Sequence, residues 1–351
     1  MKKILILVLG LMLTAASCNI LGGGGTRGVL KSEDGGETYK PFNTLEPKGD
    51  ISGISTNSFT MDPNESDTLY LGSGSGIHKT TNGAQSWKHI LEGMRVGDLA
   101  IDPSQTKILY ASGITGENGR VLKTTDGGDS WKDIYTEPSK NNPALSVAIS
   151  PANAKIILVG LNSGEVIRST DEGATWQLVR DFATPIIDIE YVDPTTAYIL
   201  TQNTGLYKSA DQGSSWNPIS VQVATSESST GGYTIAANIS SRTYYKAAYD
   251  KRLQGVIFIA SSEGLLRTID GGVTWTLMSL PVTNETLTVS SVTISPANSN
   301  GIYIAIGSTM FKSLNGGVTW ETKKLPTQQR IKHILINPDE PNNIYLGAGD
   351  K

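Results

Sequence analysis

Residues 124–131 read Thr-Thr-Asp-Gly-Gly-Asp-Ser-Trp, and this eight-residue pattern, called the box below, recurs along the chain. Its form is Ser/Thr, any residue, Asp/Asn, any residue, Gly, any residue, Ser/Thr, Trp. The copies are SEDGGETY at 32–39, TTNGAQSW at 80–87, TTDGGDSW at 124–131, STDEGATW at 169–176, SADQGSSW at 209–216, TIDGGVTW at 268–275 and SLNGGVTW at 313–320. They are spaced about 45 residues apart, which is the length of one four-stranded blade of a β-propeller.

Apolar segments of strand length surround each box in the same way. In the repeat around residues 96–134, three such segments precede the box and one follows it. The box is therefore predicted to be the turn between the third and fourth strands. Asp126 would accept hydrogen bonds from nearby backbone N–H groups, and Gly127 and Gly128 would adopt positive φ. The tryptophan would pack in the core of the blade.

The two ends of the chain are complementary. Residues 28–42 supply a third strand, a box and a fourth strand, whereas 331–348 supply a first and a second strand. Together they complete one blade, so no blade is left with an unpaired edge. We therefore predict an all-β, seven-bladed β-propeller over residues 28–351, with the last blade closed by N- and C-terminal strands.

The N-terminus predicts export and a lipid anchor. Residues 1–17 have a basic start, an apolar stretch and small residues before Cys18, as a lipoprotein-type signal peptide does. Residues 18–27 would be the lipidated cysteine and a glycine-rich tether, which makes the protein a cell-envelope lipoprotein. Ordinary leader cleavage near Ala16 is the alternative. With 29 Lys and Arg against 33 Asp and Glu, the chain has no basic excess to track a phosphate backbone, so no nucleic-acid partner is expected.

The box pattern resembles the Asp-box, or bacterial neuraminidase repeat, over essentially the whole mature chain. That repeat occurs in sialidases, in xyloglucanase-type glycosidases, in sortilin-type receptor domains and in photosystem II stability and assembly factors. A single short propeller behind a lipoprotein-type leader is most similar to the last group. The resemblance implies a protein-binding scaffold that is not an enzyme. The alternative is a carbohydrate-active protein, either a glycosidase or a glycan-binding module.

The residues themselves also favour a non-catalytic protein. Asn replaces Asp in two boxes, and an amide holds a turn but is no general acid, so the box residues are predicted to be structural. These are Asp34, Asn82, Asp126, Asp171, Asp211, Asp270 and Asn315, with Trp87, Trp131, Trp176, Trp216, Trp275 and Trp320. The sialidase signature Phe/Tyr-Arg-Ile-Pro is absent. His78, His89 and His333 have no partners at metal-ligand spacing and are expected to be solvated, so no metal or other cofactor is predicted.

Two sets of residues are candidates for binding. Aligning the first strands on their terminal Pro, or on Lys251 in one of them, predicts a polar ring in the central channel. Its members are Ser58, Asp98, Ser146, Lys246, Ser291 and His333, with Asp188 and Glu190 on either side of Ile189. Irregular connections, including a long loop at 113–120 and an insertion at 220–242, are expected on the face opposite the boxes. There Arg95, Arg120, Arg180, Arg242, Tyr244 and Tyr245 are predicted to contact a protein partner.

Overall fold

The computed structural model describes residues 27–219, 242–282 and 287–350, and within them the chain forms seven four-stranded antiparallel sheets and no helix. Each sheet is one blade, so the predicted seven-bladed β-propeller is confirmed. Residues 1–26, which contain the predicted leader, Cys18 and nearly all of the tether, lie outside the described residues. So do residues 220–241, most of the predicted insertion.

Six blades are formed by four consecutive strands. Blade 1 is β3 Thr56–Met61, β4 Leu69–Ser73, β5 Gly76–Thr80 and β6 Lys88–Glu92; blade 2 is β7 Arg95–Ile101, β8 Leu109–Thr115, β9 Asn118–Thr124 and β10 Lys132–Lys140; blade 3 is β11 Ala144–Ile149, β12 Ile157–Leu161, β13 Glu165–Ser169 and β14 Gln177–Asp181. Blade 4 is β15 Ile186–Tyr191, β16 Ala197–Thr201, β17 Gly205–Ser209 and β18 Asn217–Ile219; blade 5 is β19 Tyr244–Tyr249, β20 Ile257–Ser261, β21 Gly264–Thr268 and β22 Thr276–Leu277; blade 6 is β23 Ser291–Ser295, β24 Asn298–Ile306, β25 Thr309–Ser313 and β26 Glu321–Lys324.

Blade 7 joins the two ends of the chain. Its strands are β27 Arg330–Ile336, β28 Ile344–Gly349, β1 Gly28–Ser32 and β2 Lys40–Pro41, in the spatial order β2-β1-β28-β27. The junction is a five-residue antiparallel pairing of β1 with β28, from Gly28↔Ala348 to Ser32↔Ile344. The predicted closure is therefore confirmed, and the described ring ends in no open blade.

One predicted loop is instead a hairpin. Strands β8 and β9 stay paired as far as Thr115↔Asn118, so Gly116 and Glu117 alone form the turn. Gly116 has φ 59°, and the favoured two-residue hairpin turns, types I′ and II′, require a positive φ at this first central position. The expectation of a long recognition loop at 113–120 is therefore wrong, since that segment extends the sheet.

The core lies between blades. The cluster around buried Trp275, for example, combines side chains of blade 5 with Tyr198 and Leu200 of blade 4. In three blades the next blade approaches so closely that the second strand has glycine at the contact, namely Gly72, Gly160 and Gly347. A Cβ on Gly160 would lie 2.3 Å from Ile186 Cγ2 of the next blade. This close approach explains part of the high glycine content of the chain.

The box turn is held by its own side chains. In blade 2, Asp126 Oδ1 accepts hydrogen bonds from the Thr124 hydroxyl (2.6 Å) and the Ser130 backbone N–H (3.0 Å), and Thr124 Oγ1 accepts from the Gly128 N–H (3.0 Å). Asn82 accepts the equivalent two bonds in blade 1. Hydrogen bonds led by those from Thr175 lower the pKa of Asp171 to about 2. The acidic or amide residue thus acts as an acceptor within the turn.

The tryptophans are buried to different degrees. Trp87, Trp216 and Trp275 are buried, whereas Trp131, Trp176 and Trp320 are half-buried. All six pack in or against hydrophobic clusters between blades, and none of them is exposed.

A cation precedes the hydroxyl that starts every box, a regularity that the sequence prediction missed. These residues are Lys31, Lys79, Lys123, Arg168, Lys208, Arg267 and Lys312. In five blades the cation lies 5.3–5.9 Å from the centroid of an aromatic ring on the second strand. Lys79 Nζ also donates to the Gly127 carbonyl (2.9 Å), and Arg168 Nε to the Gln212 carbonyl (3.1 Å). Each of these two bonds joins a third strand to the box of the next blade.

Candidate functional site

The first strands of six blades carry a register shift at the same depth in the channel. It falls immediately before Ser58, Asp98, Ser146, Asp188, Lys246 and His333. A β-bulge of this kind re-aims the side chains that follow it. With Ser291 of blade 6, these residues are called the ring.

The ring matches the sequence alignment in every blade except blade 4. There Asp188, and not Ile189, follows the register shift. The cause is one additional residue between the strand and Pro194, which displaces an alignment based on the proline. Glu190 lies two residues further on and so points to the same side of the strand as Asp188.

Asp98 links three blades. Its Oδ1 accepts hydrogen bonds from the Ser58 hydroxyl (2.9 Å) and the Leu99 N–H (2.8 Å). Its Oδ2 accepts from the Ser146 hydroxyl and the Val147 N–H, both at 3.2 Å. Burial raises the pKa of Asp98. With four donors around it, Asp98 serves to join the blades.

The hydrogen-bonded connection continues into blades 4 and 5. Ser146 Oγ accepts from the Ile189 N–H of blade 4 (3.0 Å), and Lys246 Nζ of blade 5 donates to Asp188 Oδ1 (3.0 Å). Burial would lower the pKa of Lys246, but Asp188, Glu190 and Asp98 together raise it. Lys246 is therefore a protonated ammonium among carboxyl groups.

His333 and Glu190 complete the titratable set. Burial, aided by Lys246, lowers the pKa of His333 to about 3, so the imidazole is neutral at neutral pH. Burial raises the pKa of Glu190, although Lys251 opposes this shift. The raised pKa favours the neutral form of the Glu190 carboxyl group, and that form can donate a hydrogen bond to a ligand.

A cavity of about 710 Å³ extends from the ring to the turns that follow the first strands. Those turns lie on the same face as the boxes, so the mouth opens on the box face. At the floor and wall the side chains of Lys246 and Glu190 are 35% and 31% exposed, whereas that of Asp188 is 9% exposed. Lys246 and Glu190 are thus accessible to a ligand, whereas the buried Asp188 forms an ion pair with Lys246.

The rim has one residue that departs from the repeat. In five blades a proline lines it, namely Pro63, Pro103, Pro151, Pro296 and Pro338. Blade 5 has Lys251 at this position, and its Nζ lies 3.4 Å from Glu190 Oε1 of blade 4. The loss of proline at this place is the sequence signal that could have identified Lys251 as a site residue.

The six residues predicted to bind a partner are not equally available. Arg95 is exposed, Arg120 pairs with Asp133 (2.7 Å), and Arg180 donates to the Trp216 carbonyl (2.6 Å). Tyr245 is half-buried, and its ring centroid lies 5.6 Å from the Arg330 guanidinium.

Two of the six residues are not at the surface. Arg242 and Tyr244 are each 1% exposed, and Arg242 Nε bonds Glu263 at 2.6 Å. As folded, they cannot contact a partner, and this part of the prediction is wrong. The guanidinium is buried, whereas the side chain of its partner Glu263 is 38% exposed, so the ion pair extends from the interior to the surface.

The expectation of solvated histidines also needs correction. His78 is 2% exposed, and its ring stacks on that of His89 with centroids 4.3 Å apart and planes 3° apart. Burial, followed by the nearby His89, lowers the pKa of His78 to about 4. The two residues face each other across β5 and β6, a pairing that periodicity alone does not reveal.

The described part of the chain contains neither a metal-ligand cluster nor a membrane-spanning helix. Within it, no three His, Cys, Asp or Glu side chains are grouped so that they could bind a metal ion. Over the same ranges, no helix has the length and apolar character needed to cross a bilayer.

The chain is similar in sequence to one curated protein and in fold to many solved structures. No family model matches it. A xyloglucanase from a Paenibacillus species is 25% identical over 269 residues, which is 71% of this chain and 23% of that protein. The GH74 xyloglucanase of Xanthomonas campestris superposes with a TM-score of 0.68 at 17% identity, over 84% of this chain and 51% of that one. YCF48 bound to a D1 peptide superposes with a TM-score of 0.62 at 15% identity, over 85% and 94% respectively.

These similarities contradict one expectation. The protein was expected not to be an enzyme, yet its sequence relative is a xyloglucanase, and the solved structures similar to it include GH74 enzymes. The chain spans less than a quarter of that relative's length. The structural neighbours show a fold shared by GH74 enzymes and by YCF48.

Proposed function

We propose that this protein is a carbohydrate-active propeller that takes a neutral glycan of the xyloglucan type into the box-face cavity. The observation that carries the proposal is the set of accessible polar groups in that cavity. Glu190, Lys246 and His333 all line it. The similarity to a xyloglucanase supports the choice of glycan.

The electrostatics of the cavity favour an uncharged, hydroxyl-rich ligand. The Lys246 ammonium is paired with Asp188 and the Lys251 ammonium with Glu190, so neither lysine is a free cation for an anionic ligand. His333 is neutral and can both donate and accept. Sugar hydroxyls also donate and accept, and the cavity volume lies within the usual range for ligand sites, about 300–1,000 Å³.

The test combines binding with hydrolysis. The mature protein is incubated with xyloglucan, mixed-linkage glucan and cellulose, and both retention on the polymer and release of reducing ends are measured. Glu190→Gln should weaken binding to the accepted glycan and reduce any hydrolysis. Glu65→Gln, at an exposed turn on the same face, is the matched control and should behave as the parent. Failure of every glycan to bind would reject the proposal.

Protein binding on the opposite face is a second candidate function. It is favoured by the similarity to YCF48, a chain matched over 94% of its length and solved with a peptide bound. Of the predicted contacts, Arg95, Arg120 and Arg180 remain at or near the surface. Replacing the exposed Arg95 with Glu should weaken capture of a partner from membranes and leave thermal unfolding unchanged. Capture that survives this change undiminished would count against this face.

We also propose that the protein is an exported lipoprotein held at the cell envelope through Cys18. The support is the arrangement of the first 18 residues, basic then apolar then small before the cysteine. A diacylglycerol on Cys18 would anchor the protein stably through its two acyl chains, because a single acyl chain gives only marginal membrane binding.

A further inference from the structure

We propose that the cavity receives the end of a glycan chain and not a segment from its middle. This inference rests on the proposed function, because it specifies which part of a glycan enters. It depends on three features of the cavity: its continuous wall, its floor at the ring and the groups exposed at that floor.

The wall is continuous around the channel axis. The first strands of all seven blades line the cavity. Side-chain hydrogen bonds join those of blades 1 to 5 through Asp98, Ser146 and Asp188. Between blades 6 and 7, the Ser290 hydroxyl donates to the Ile331 carbonyl (2.7 Å). A polymer lying across the axis would need a groove with two open ends, and this wall provides none.

The ring forms the floor of the cavity. In six blades the lining of the cavity begins at the ring residue, and in blade 3 it begins one residue later, at Val147. No described residue that precedes the ring on a first strand lines the cavity. Behind the ring, the Tyr245 aromatic ring faces Arg330, which lies two blades further on. In the proposed binding mode a glycan does not thread through the propeller. Both arms of an internal segment would have to return through the same mouth.

The exposed groups at the floor suit a terminal sugar. Lys246 Nζ offers donors, and neutral His333 offers a donor and an acceptor. A terminal residue keeps one hydroxyl that an internal residue uses in its glycosidic bond. That additional hydroxyl would lie deepest, next to Lys246 and His333. The rest of the chain would leave past Glu190 and Lys251 at the mouth.

The experiment compares xyloglucan oligosaccharides with high-mass xyloglucan by isothermal titration on the mature protein. If chain ends bind, the two probes give the same Kd when concentration is expressed as chain ends. The same mass of a chain about ten times shorter carries about ten times as many ends. Such a chain should therefore reach half-saturation at a mass concentration about tenfold lower. Equal affinity per unit mass, or binding of the polymer alone, would overturn the inference while leaving the proposed function in place. If neither probe binds, both fall together.

A blocking variant gives a second, independent test. Thr293 lines the cavity above the ring and is half-buried, so Thr293→Trp should fill the path to the floor. It should abolish oligosaccharide binding, and thermal unfolding verifies that the variant is folded. If that variant misfolds, His333→Gln tests the floor with a smaller change and should weaken oligosaccharide binding at least tenfold. Full binding by a folded variant of either kind would overturn the inference.

Discussion

Acid should destabilise the propeller in part through His78, and replacing this residue with Phe should remove that part. The His78 imidazole is 2% exposed and lies flat against His89. Its Nδ1 has no hydrogen-bond partner among the described residues. Protonation would place a positive charge in this poorly solvated position, which is why burial lowers the pKa to about 4. A Phe ring keeps the stack and cannot be protonated.

The size of the effect follows from the two pKa values. In the unfolded chain a histidine has a pKa of about 6.5, so between pH 6.5 and 4 the unfolded state binds more protons than the folded state. Stability due to His78 is therefore complete above pH 6.5 and is lost as the pH falls. The loss relative to pH 7.5 is about 2 kcal/mol at pH 5 and about 3 kcal/mol at pH 4. His333 acts in the same direction, whereas Asp98, with its raised pKa, acts in the opposite one.

Urea unfolding of the parent and of His78→Phe at pH 7.5, 5 and 4 isolates the contribution of His78. The free energy of unfolding of the parent should fall more steeply, and the difference between the two proteins should change by about 2 kcal/mol from pH 7.5 to pH 5. NMR titration of the His78 ring supplies the control, with a midpoint near pH 4. Parallel pH profiles for the two proteins would refute the reasoning.

Four further changes test other parts of the structure. Thr124→Val removes the acceptor for the Asp126 and Gly128 N–H groups and should cost about 1–3 kcal/mol in urea unfolding, whereas no loss would mean that the box hydroxyl does not hold its turn. Gly160→Ala should cost about 1–3 kcal/mol because its Cβ meets Ile186, and Gly53→Ala, with no atom within 4 Å, should be close to neutral. Deleting residues 331–351 removes β27 and β28 and should lower the Tm sharply or cause aggregation; an unchanged Tm would contradict the closure of the propeller by blade 7. Cys18→Ser should release the protein from membranes, and a soluble parent with an unmodified thiol by intact mass would reject the lipid anchor.

The fold could be predicted from the sequence because the box is a local signal. Thr124, Asp126 and Gly128 complete their hydrogen bonds within eight residues, so tertiary context hardly alters the turn. The number of repeats and the complementary chain ends then predicted the number of blades and the closure of the propeller. The depth of the ring was also accessible, because each first strand ends at a recognisable residue such as Pro103 or Lys251.

The rest of the candidate site could not be predicted because it depends on contacts between blades. A one-residue insertion before Pro194 was enough to move Asp188 into the ring in place of Ile189. Arg242 follows a Ser/Thr-rich stretch typical of surface loops, yet its charge is buried against Glu263. Behind the ring, Tyr245 approaches Arg330 across two blades, and this contact leaves no periodic pattern in the sequence.

A glycan in the box-face cavity should shield the residues that line it, so hydrogen–deuterium exchange is measured with and without a xyloglucan oligosaccharide. Exchange should be slower in residues 188–191, 246–252 and 333–338, which line the floor, the wall and the rim. Glu190→Gln should reduce that protection, and Glu65→Gln should not. Protection confined to the opposite face around Arg95 and Arg120, or no protection at a saturating concentration of the oligosaccharide, would contradict the claim.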